Sequence, residues 1–504
     1  MPDKKIAKVK TAVNVGFNGV LITVECNITK GLPAFTIVGL ADKSVGESRE
    51  RVRSAITNSG FIFPAKHITI NLAPADIAKV GSHFDLPIAL SILIASGQLL
   101  QNHVDNKLFV GELSLSGELN SIKGAISFAE TAQNNHLSSL ILPAENANQA
   151  ALLDKINVVG ATTISSVVMH LLGEKVISAT MKPDLSTLIS EKRQNNDADL
   201  IDEIRGQEFA KRALIIAAAG HHNILFTGTP GAGKTMLAKA LPGIMPPLSA
   251  TEAIETTKIH SLTDENDDII TSVPFRSPHN TASTVAISGG GTNAKPGEIS
   301  LAHNGILFMD EIPEFSRSAL ELLRQPLEDH KISISRANMK TTYPASFMLV
   351  ATRNPCPCGY LGDPDHECVD SQQAIYNYQN KLSGPLLDRI DMQITVKKVA
   401  RNKMFAKNSE RPMAETFRQM IRTAKARQIY RQGKSNASLT NKELGEFAAL
   451  NAESQTLLDA ATDKLNLSAR SHFKIVRIAR TIADLDGREK ISQNDIAEAL
   501  QFRG

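Results

Sequence analysis

The stretch NILFTGTPGAGKTMLAKAL, Asn223 to Leu241, decides the fold of the region around it. Ile224 to Thr227 read as a short buried strand. Gly228, Thr229, Pro230, Gly231, Ala232, Gly233, Lys234 and Thr235 complete the pattern G-x-x-x-x-G-K-[ST], and the apolar periodicity after them opens a helix. Strand, glycine loop and helix start are the context in which this pattern holds phosphate. Glycines let successive backbone N–H groups turn inward on phosphate oxygens, and the helix N-terminus adds a favourable dipole. Lys234 is expected to reach the β- and γ-phosphates and Thr235 to ligate Mg²⁺, so ATP and Mg²⁺ are the expected cofactors.

Two later strands belong to the same site. GILFMDE ends in Asp310 and Glu311. Four apolar residues followed by carboxylates fit a buried parallel strand with acids at its C-terminal end, where α/β sheets bind ligands. Asp310 is expected to hold Mg²⁺, and Glu311 to polarise the attacking water. FMLVATRN is a further apolar strand with a polar end, and its Asn354 is expected to position that water or touch the γ-phosphate.

Outward from this site the chain divides into three. With 504 residues, 42% hydrophobic and 21% charged, it is long enough for several globular domains. Residues 1–177 mix strand-like segments (HITINLAP, LSSLILP, INVVGATT) with the apolar helix DLPIALSILIASGQLL. A linker is expected over 178–200, at the polar run SEKRQNNDAD. Residues 201–400 alternate strands and helices, the pattern of a parallel α/β domain. Residues 401–504 are helical, with Leu465, Ile475, Ile478, Ala479 and Ile482 at helix-like spacing. A net charge of +3 does not imply nucleic acid. Four cysteines, three of them clustered, do not make a disulfide framework. MPDKKIAKVKTAV lacks the apolar core of a signal peptide, and no uncharged apolar run approaches the ~18 residues of a membrane span. A soluble, cytoplasmic protein is expected.

RSPHNTASTVAISGGGTNAKPGEISLAHNGILFMDEIPEF and LSGPLLDRIDM resemble the magnesium-chelatase-like AAA+ ATPases of the YifB/ComM type. FDLPIALSILIASGQL and SARSHFKIVRIARTIADL extend the resemblance over nearly the whole chain. It implies a multidomain α/β fold with three parts: a Lon-protease-like N-terminal domain, an AAA+ P-loop core and a C-terminal helical lid. It further implies a homo-hexamer, a helicase that hydrolyses ATP to move on branched DNA, and branch migration during natural transformation. Arg389 in LLDRID matches the family's arginine finger, which acts on a neighbouring subunit's γ-phosphate and contributes roughly 10³–10⁵ in rate. Arg470 in LSARSHF matches sensor 2, which reads nucleotide state from the lid. The sequence departs from the pattern at Asn280, where a second histidine is usual, and at Arg353, where a small or apolar residue is usual. An alternative of another class is a magnesium-chelatase or MoxR-like ATPase that remodels a protein or inserts a metal.

The Lon-like resemblance raises protease chemistry, which needs a serine activated by a lysine. Ser82 lies close to the serine position, but the best register puts His83 there. Ile126 stands at the lysine position, with Lys123 three residues earlier. An inactive protease fold, reused as scaffold or DNA-contacting ring as in the RadA type, is the expectation. The expected DNA contacts are inserts that rings of this class aim at the pore. One is AISGGGTNAKPGE with Lys295. The other is a hairpin in EDHKISISRANMKTTYP with Lys331, Arg336 and Lys340. With 5% aromatic residues and no Trp, contact with the DNA backbone is favoured over base stacking. Arg418, Arg422 and Lys425 share one helix side and read as a solvated lid face or a phosphate stripe.

Directly after Asn354 comes CPCGYLGDPDHEC. Cys356, Cys358 and Cys368 resemble the family's C-x-C…C-x-C element with its last cysteine replaced by Asp370. Zn²⁺ accepts Cys, His and carboxylate in a closed tetrahedral site. Two readings stand: a structural zinc site completed by Asp370 or by His366, or a remnant turn with reduced thiols.

Overall fold

Two sheets organise the chain. The computed structural model describes residues 6–194, 200–263, 268–291, 294–336, 339–399 and 413–503.

The N-terminal sheet has seven strands, ordered Ala34–Val38, His67–Ala73, Asn18–Thr29, Ala7–Val15, Lys107–Phe109, Ser139–Pro143, Asn157–Ala161. It is mixed: a long antiparallel hairpin, Ala7–Val15 with Asn18–Thr29, carries a parallel half on one side. Strand side chains alternate between faces, and both faces of the parallel half are covered. Leu108, Leu140 and Val158 enter one apolar core, while their neighbours Phe109, Ile141 and Val159 enter the other. The helix Asp85–Ala95 is apolar nearly all round, as a fully enclosed helix must be. It lies between the sheet and the helix Lys43–Asn58.

The second sheet is parallel throughout, ordered Phe275–Arg276, Ile306–Met309, Met348–Arg353, Ile224–Thr227, Met392–Thr395. The first strand of this unit in the chain, Ile224–Thr227, is therefore internal. It sits between the strand that leads to Asn354 and the last strand, Met392–Thr395, where connections leave in opposite directions. Ligands bind at such a point, outside the carboxyl ends of the strands.

After residue 412 the described chain is helical: Met413–Gln432, Asn441–Phe447, Ala452–Lys464, Ala469–Leu485 and Gln493–Gln501. These helices share one apolar core with the second sheet, in which Ile421, Ile475, Ile478 and Ile482 join Ile224 and Phe226. The alanine-rich helix Glu208–Gly220 is the buried layer between them. The helical region's own polar centre is Asp484, which binds Arg431 at 2.7 Å, Asn436 at 2.8 Å and the buried Arg480 at 3.0 Å. Each charge buried there has a partner, which is what makes burying it tolerable.

The tip of the N-terminal hairpin is seated on the second unit. Gly16, at φ +62°, lies so close to Thr341 that a Cβ would overlap its hydroxyl. Phe17 packs edge-on to Tyr343, with ring centroids 6.2 Å apart, and lies under Lys258 Nζ at 3.8 Å. Lys258 in turn binds Glu130 at 2.6 Å.

Two expectations are corrected. The stretch 178–200 is not all linker, because Leu185–Gln194 forms a helix. Leu185 is buried in a small core with Ile126, Leu248 and Ala253, which joins the two units. Leu465 does not share the face of Ile475, Ile478 and Ile482. It ends the preceding helix and is 47% exposed, because the turn to Ala469 breaks the periodicity.

Candidate nucleotide site and cysteine cluster

The expected strand Ile224–Thr227 and the helix Lys234–Ile244 flank the glycine loop. Gly231 and Gly233 take φ +75° and +91°, the left-handed conformation that turns the loop's amides inward. Lys234 is buried, and its Nζ donates to Gly228 O at 2.6 Å, Thr229 O at 3.0 Å and Asn354 Oδ1 at 3.1 Å. All three acceptors are neutral. Burial holds this ammonium below lysine's ordinary pKa, while Asp310 and Glu311 nearby oppose the shift. A buried ammonium without a bonded counter-charge suits an arriving polyphosphate.

Asp310 follows the strand Ile306–Met309, and its Oδ2 lies 3.2 Å from Thr235 Oγ1. A hydroxyl and a carboxylate oxygen at this spacing are the hard donor set that Mg²⁺ takes beside substrate phosphates. Glu311 is exposed and sits at φ +49°, a conformation non-glycine residues adopt at some energetic cost. Thr352 is a residue the sequence reading missed. It is fully buried, its Oγ1 donates to Asp310 Oδ1 at 2.5 Å, and it accepts from Glu311 N at 2.9 Å. One hydroxyl thus sets both acids, and only the alternation of MLVATR hinted that Thr352 faces the same side. Gln207 was also missed: its amide donates to Ala232 O at 3.0 Å and Lys397 O at 2.6 Å, tying the glycine loop to the chain after the last strand. Arg353, the departure from the family pattern, donates from Nε to Thr227 Oγ1 at 2.9 Å on the neighbouring strand.

Arg389 and Arg470 are elsewhere. Arg389 precedes the last strand, in which Met392 is level with Ile224. Its carbonyl accepts from Asn223, the residue before the glycine-loop strand. It therefore stands at the opposite edge of the sheet from the glycine loop, separated by a four-residue strand, roughly 13 Å. Arg470, at the start of Ala469–Leu485, joins Arg389 there instead of covering its own chain's glycine loop. Both bind Glu328, at 2.6 Å from Arg389 Nη2 and 2.8 Å from Arg470 Nη2.

The cysteines converge. Cys356, Cys358 and Cys368 have Sγ–Sγ distances of 3.4, 3.6 and 3.6 Å, and Asp370 Oδ2 lies 3.8 Å from Cys368 Sγ. Ligand atoms of all four residues fall within 4.8 Å of one another. Tetrahedral Zn–S bonds of about 2.3 Å place sulfurs about 3.8 Å apart, so the set fits zinc. His366 is not part of it. Its side chain is 57% exposed, its Nδ1 faces Asp363 at 3.4 Å and its ring lies against Tyr360. The tight turn at Gly359–Gly362 bends the chain so that Asp370 comes back to Cys358 N at 2.8 Å, while His366 remains on the outside. Gly359 also abuts the glycine loop, with space for no Cβ between it and Pro230. The cysteine loop thus backs directly on the nucleotide site.

Lys331 and Lys340 are exposed on the hairpin Lys331–Arg336/Met339–Pro344, whose other face is held by buried Ile332, Ile334 and Tyr343. The Arg336 side chain lies outside the described residues. Lys295 is exposed in a two-residue strand paired with Gly289–Gly290. The two inserts touch, through Tyr343 Oη on Ala294 O at 2.8 Å and Gly289 against Ile334. The stripe on the helix Met413–Gln432 is partly used up within the chain, because Arg418 binds Gly243 O at 2.7 Å and Lys425 pairs with Glu252 at 3.8 Å. In the N-terminal domain, Ser82 hydrogen-bonds the Glu112 carboxylate, and Ile126 is buried in apolar surroundings.

Comparison with known proteins agrees with this layout. Profiles of magnesium chelatase subunit ChlI match residues 24–146 and 199–404, and that of its C-terminal part matches 412–503. Competence protein ComM of Haemophilus influenzae is 44% identical over 99% of this chain and 97% of its own length. The chain belongs to the ComM/YifB family. YifB of Escherichia coli is 42% identical over 98% of the chain and 96% of its own length. The 67 kDa magnesium-chelatase subunit of Chlorobaculum parvum is 26% identical, over 30% of the chain and 23% of that subunit. ComM/YifB proteins carry magnesium-chelatase-type domains, which are AAA+ ATPase domains that use ATP and Mg²⁺. Among the described residues, no helix is long and apolar enough to cross a membrane.

Proposed function

We propose that this ComM/YifB protein is an ATP-driven DNA motor, a hexameric branch-migration helicase acting on recombination intermediates in natural transformation. The observation that carries the reading is the placement of Arg389 at the sheet edge opposite the glycine loop. An arginine finger there serves a neighbour's nucleotide, so the working site forms between subunits. In this reading residues 1–177 are a Lon-like domain without protease activity, 201–400 the AAA+ core and 401–504 the lid.

The glycine-loop amides, Lys234 and Thr235 hold the triphosphate, with Thr235 and Asp310 as ligands of Mg²⁺. Bound Mg–ATP supplies the phosphoryl group and the charge to be stabilised. Glu311 orients and polarises the attacking water, and Asn354, fixed by Lys234, holds that water or the γ-phosphate. Arg389 and Arg470 meet developing charge from the adjacent subunit. Cys356, Cys358, Cys368 and Asp370 would hold a zinc ion, which would brace the loop behind Pro230 and take no part in the chemistry. Lys295, Lys331, Arg336 and Lys340 meet the DNA backbone without reading sequence.

The DNA side is supported by full-length likeness to a competence protein. The magnesium-chelatase subunit match, over under a third of this chain, gives weaker support to a protein-remodelling ATPase. ATPase rates with and without forked DNA decide between them. Stimulation and binding at low salt are expected, and their absence would favour the remodelling reading.

A further inference from the structure

We propose that Glu328 is a latch on the two arginines, a positioning residue that a neighbour's nucleotide must displace and whose release is passed to the lysine-bearing hairpin. The proposal rests on the reading that Arg389 acts on an adjacent subunit.

Both oxygens of one carboxylate are used, Oε2 by Arg389 and Oε1 by Arg470. The arginines come from different elements, one before the last strand and one at the start of a lid helix. Glu328 therefore fastens lid to core at the face a neighbour would meet. Glu328 is 44% exposed and Arg470 58%, so that pair is open to water and contributes little, while Arg389 is 13% exposed and its pair is more sheltered; a phosphate with more charge and more acceptor oxygens displaces the carboxylate from both. Arg389 Nε is buried without a hydrogen-bond partner, a donor still to be met. A cavity of about 340 Å³ opens beside the three residues, and Lys474 and Arg477 also line it. Glu328, Asp388 and Asp391 line it too, so the four cations exceed the carboxylates by one, and displacing Glu328 widens that excess toward what a polyphosphate needs.

The link to the hairpin is short. Glu328 lies on the helix Arg324–Asp329, His330 turns the chain at φ +53°, and the hairpin starts at Lys331. Ala345 N bonds back to His330 O at 2.9 Å, so the end of the second strand is tied to the same turn. A shift of Glu328 moves the base of the hairpin with it.

The test compares steady-state ATPase of Glu328→Gln, Arg389→Ala and the double variant, without DNA. Glutamine keeps the shape but cannot neutralise two guanidiniums. Glu328→Gln should raise kcat/KM about 2- to 10-fold, the range that one or two partly exposed ion pairs span. The gain should vanish in the Arg389→Ala background, and Glu328→Asp, which keeps the charge, should stay nearer the parent. Hydrogen exchange of residues 331–344 should quicken in Glu328→Gln. Unchanged or lower turnover in Glu328→Gln, with Arg389→Ala inactive, would overturn the latch while leaving the arginine finger intact. Full turnover in Arg389→Ala would instead remove the trans reading and the latch together. Unchanged exchange would break the link to the hairpin.

Discussion

Lys234 Nζ and Asn354 Oδ1 meet at 3.1 Å, joining the first turn of the glycine-loop helix to the end of the neighbouring strand. The contact fixes the asparagine at the glycine loop, where the proposed reading puts the γ-phosphate, and gives Lys234 a neutral partner that it can release. Replacing Lys234 with Ala should abolish nucleotide binding. Asn354→Ala should bind ATP within a few-fold of the parent but turn it over about 10²-fold more slowly, as loss of one preorganised polar group does. Equilibrium binding of a fluorescent nucleotide, set beside kcat, separates the two.

Thr352 offers a sharper probe of the acids. Thr352→Val keeps the shape and deletes the hydroxyl between Asp310 and Glu311 N. A hydrogen bond to a charged group is worth about 1.5–3 kcal/mol. We expect lower kcat and a higher Mg²⁺ concentration for half-maximal activity, with Thr352→Ser close to the parent. An unchanged Mg²⁺ profile would count against Asp310 being set by Thr352.

The proposed sites between subunits make complementation measurable. Arg389→Ala and Glu311→Gln should each be inactive alone, and mixed rings should recover part of the activity, because some interfaces pair an intact arginine with an intact acid. Well-mixed rings with no recovery would contradict action in trans.

Protein purified without chelator should carry about one zinc per chain. Zinc should persist in His366→Ala and fall in Asp370→Ala, since Asp370 lies with the three sulfurs and His366 does not. Because Gly359 packs on Pro230, removing the metal should also raise the Kd for ATP. Metal-free protein with ordinary nucleotide affinity would mark the segment as a vestigial turn.

His83 gives the N-terminal domain a pH dependence. Its ring keeps a partly exposed edge but lies between Phe84 and Phe128, with centroids 4.4 and 5.1 Å away, and Nε2 bonds Ala12 O at 3.0 Å. Burial pushes its pKa down to about 4. The unfolded histidine titrates near 6.5. Between those values the unfolded chain binds the extra proton, so stability is whole above about pH 6.5 and is lost as pH falls toward about 4. The loss is on the order of 1 kcal/mol per pH unit in that window, less what water recovers at the exposed edge. Thermal melts from pH 7 to 4.5 should fall less steeply for His83→Gln.

Much of the fold was legible because its signals are local. The glycine loop, the strand before it, the paired strands Lys331–Arg336 and Met339–Pro344, and the strands His67–Ala73 and Ser139–Pro143 are each announced within a dozen residues by periodicity and turn chemistry. The candidate site was legible where motif and strand coincide, at Lys234, Thr235, Asp310 and Glu311. Thr352 escaped notice because a threonine inside an apolar strand looks like any β-branched filler until its neighbour strand is known. The helix Leu185–Gln194 escaped because its polar composition resembles a linker, and Leu185 in a shared core, with Leu188 packed against it, reveals its docking.

By itself the sequence determined the phosphate-binding loop, the alternation of strands and helices around it, and the three cysteines that can share a metal. Those features depend on residues adjacent in the chain, whose spacing sets which side of a strand or helix they occupy. Only the tertiary structure decided that Asp370 and not His366 completes the cysteine set, that Gly359 leans on Pro230, and that Glu328 holds Arg389 and Arg470 at the edge away from their own glycine loop. The reason is geometric: where a side chain ends up after a turn depends on the φ/ψ of that turn. Which distant residues meet depends on strand order and crossover, and neither is set by how far apart the residues lie in the chain.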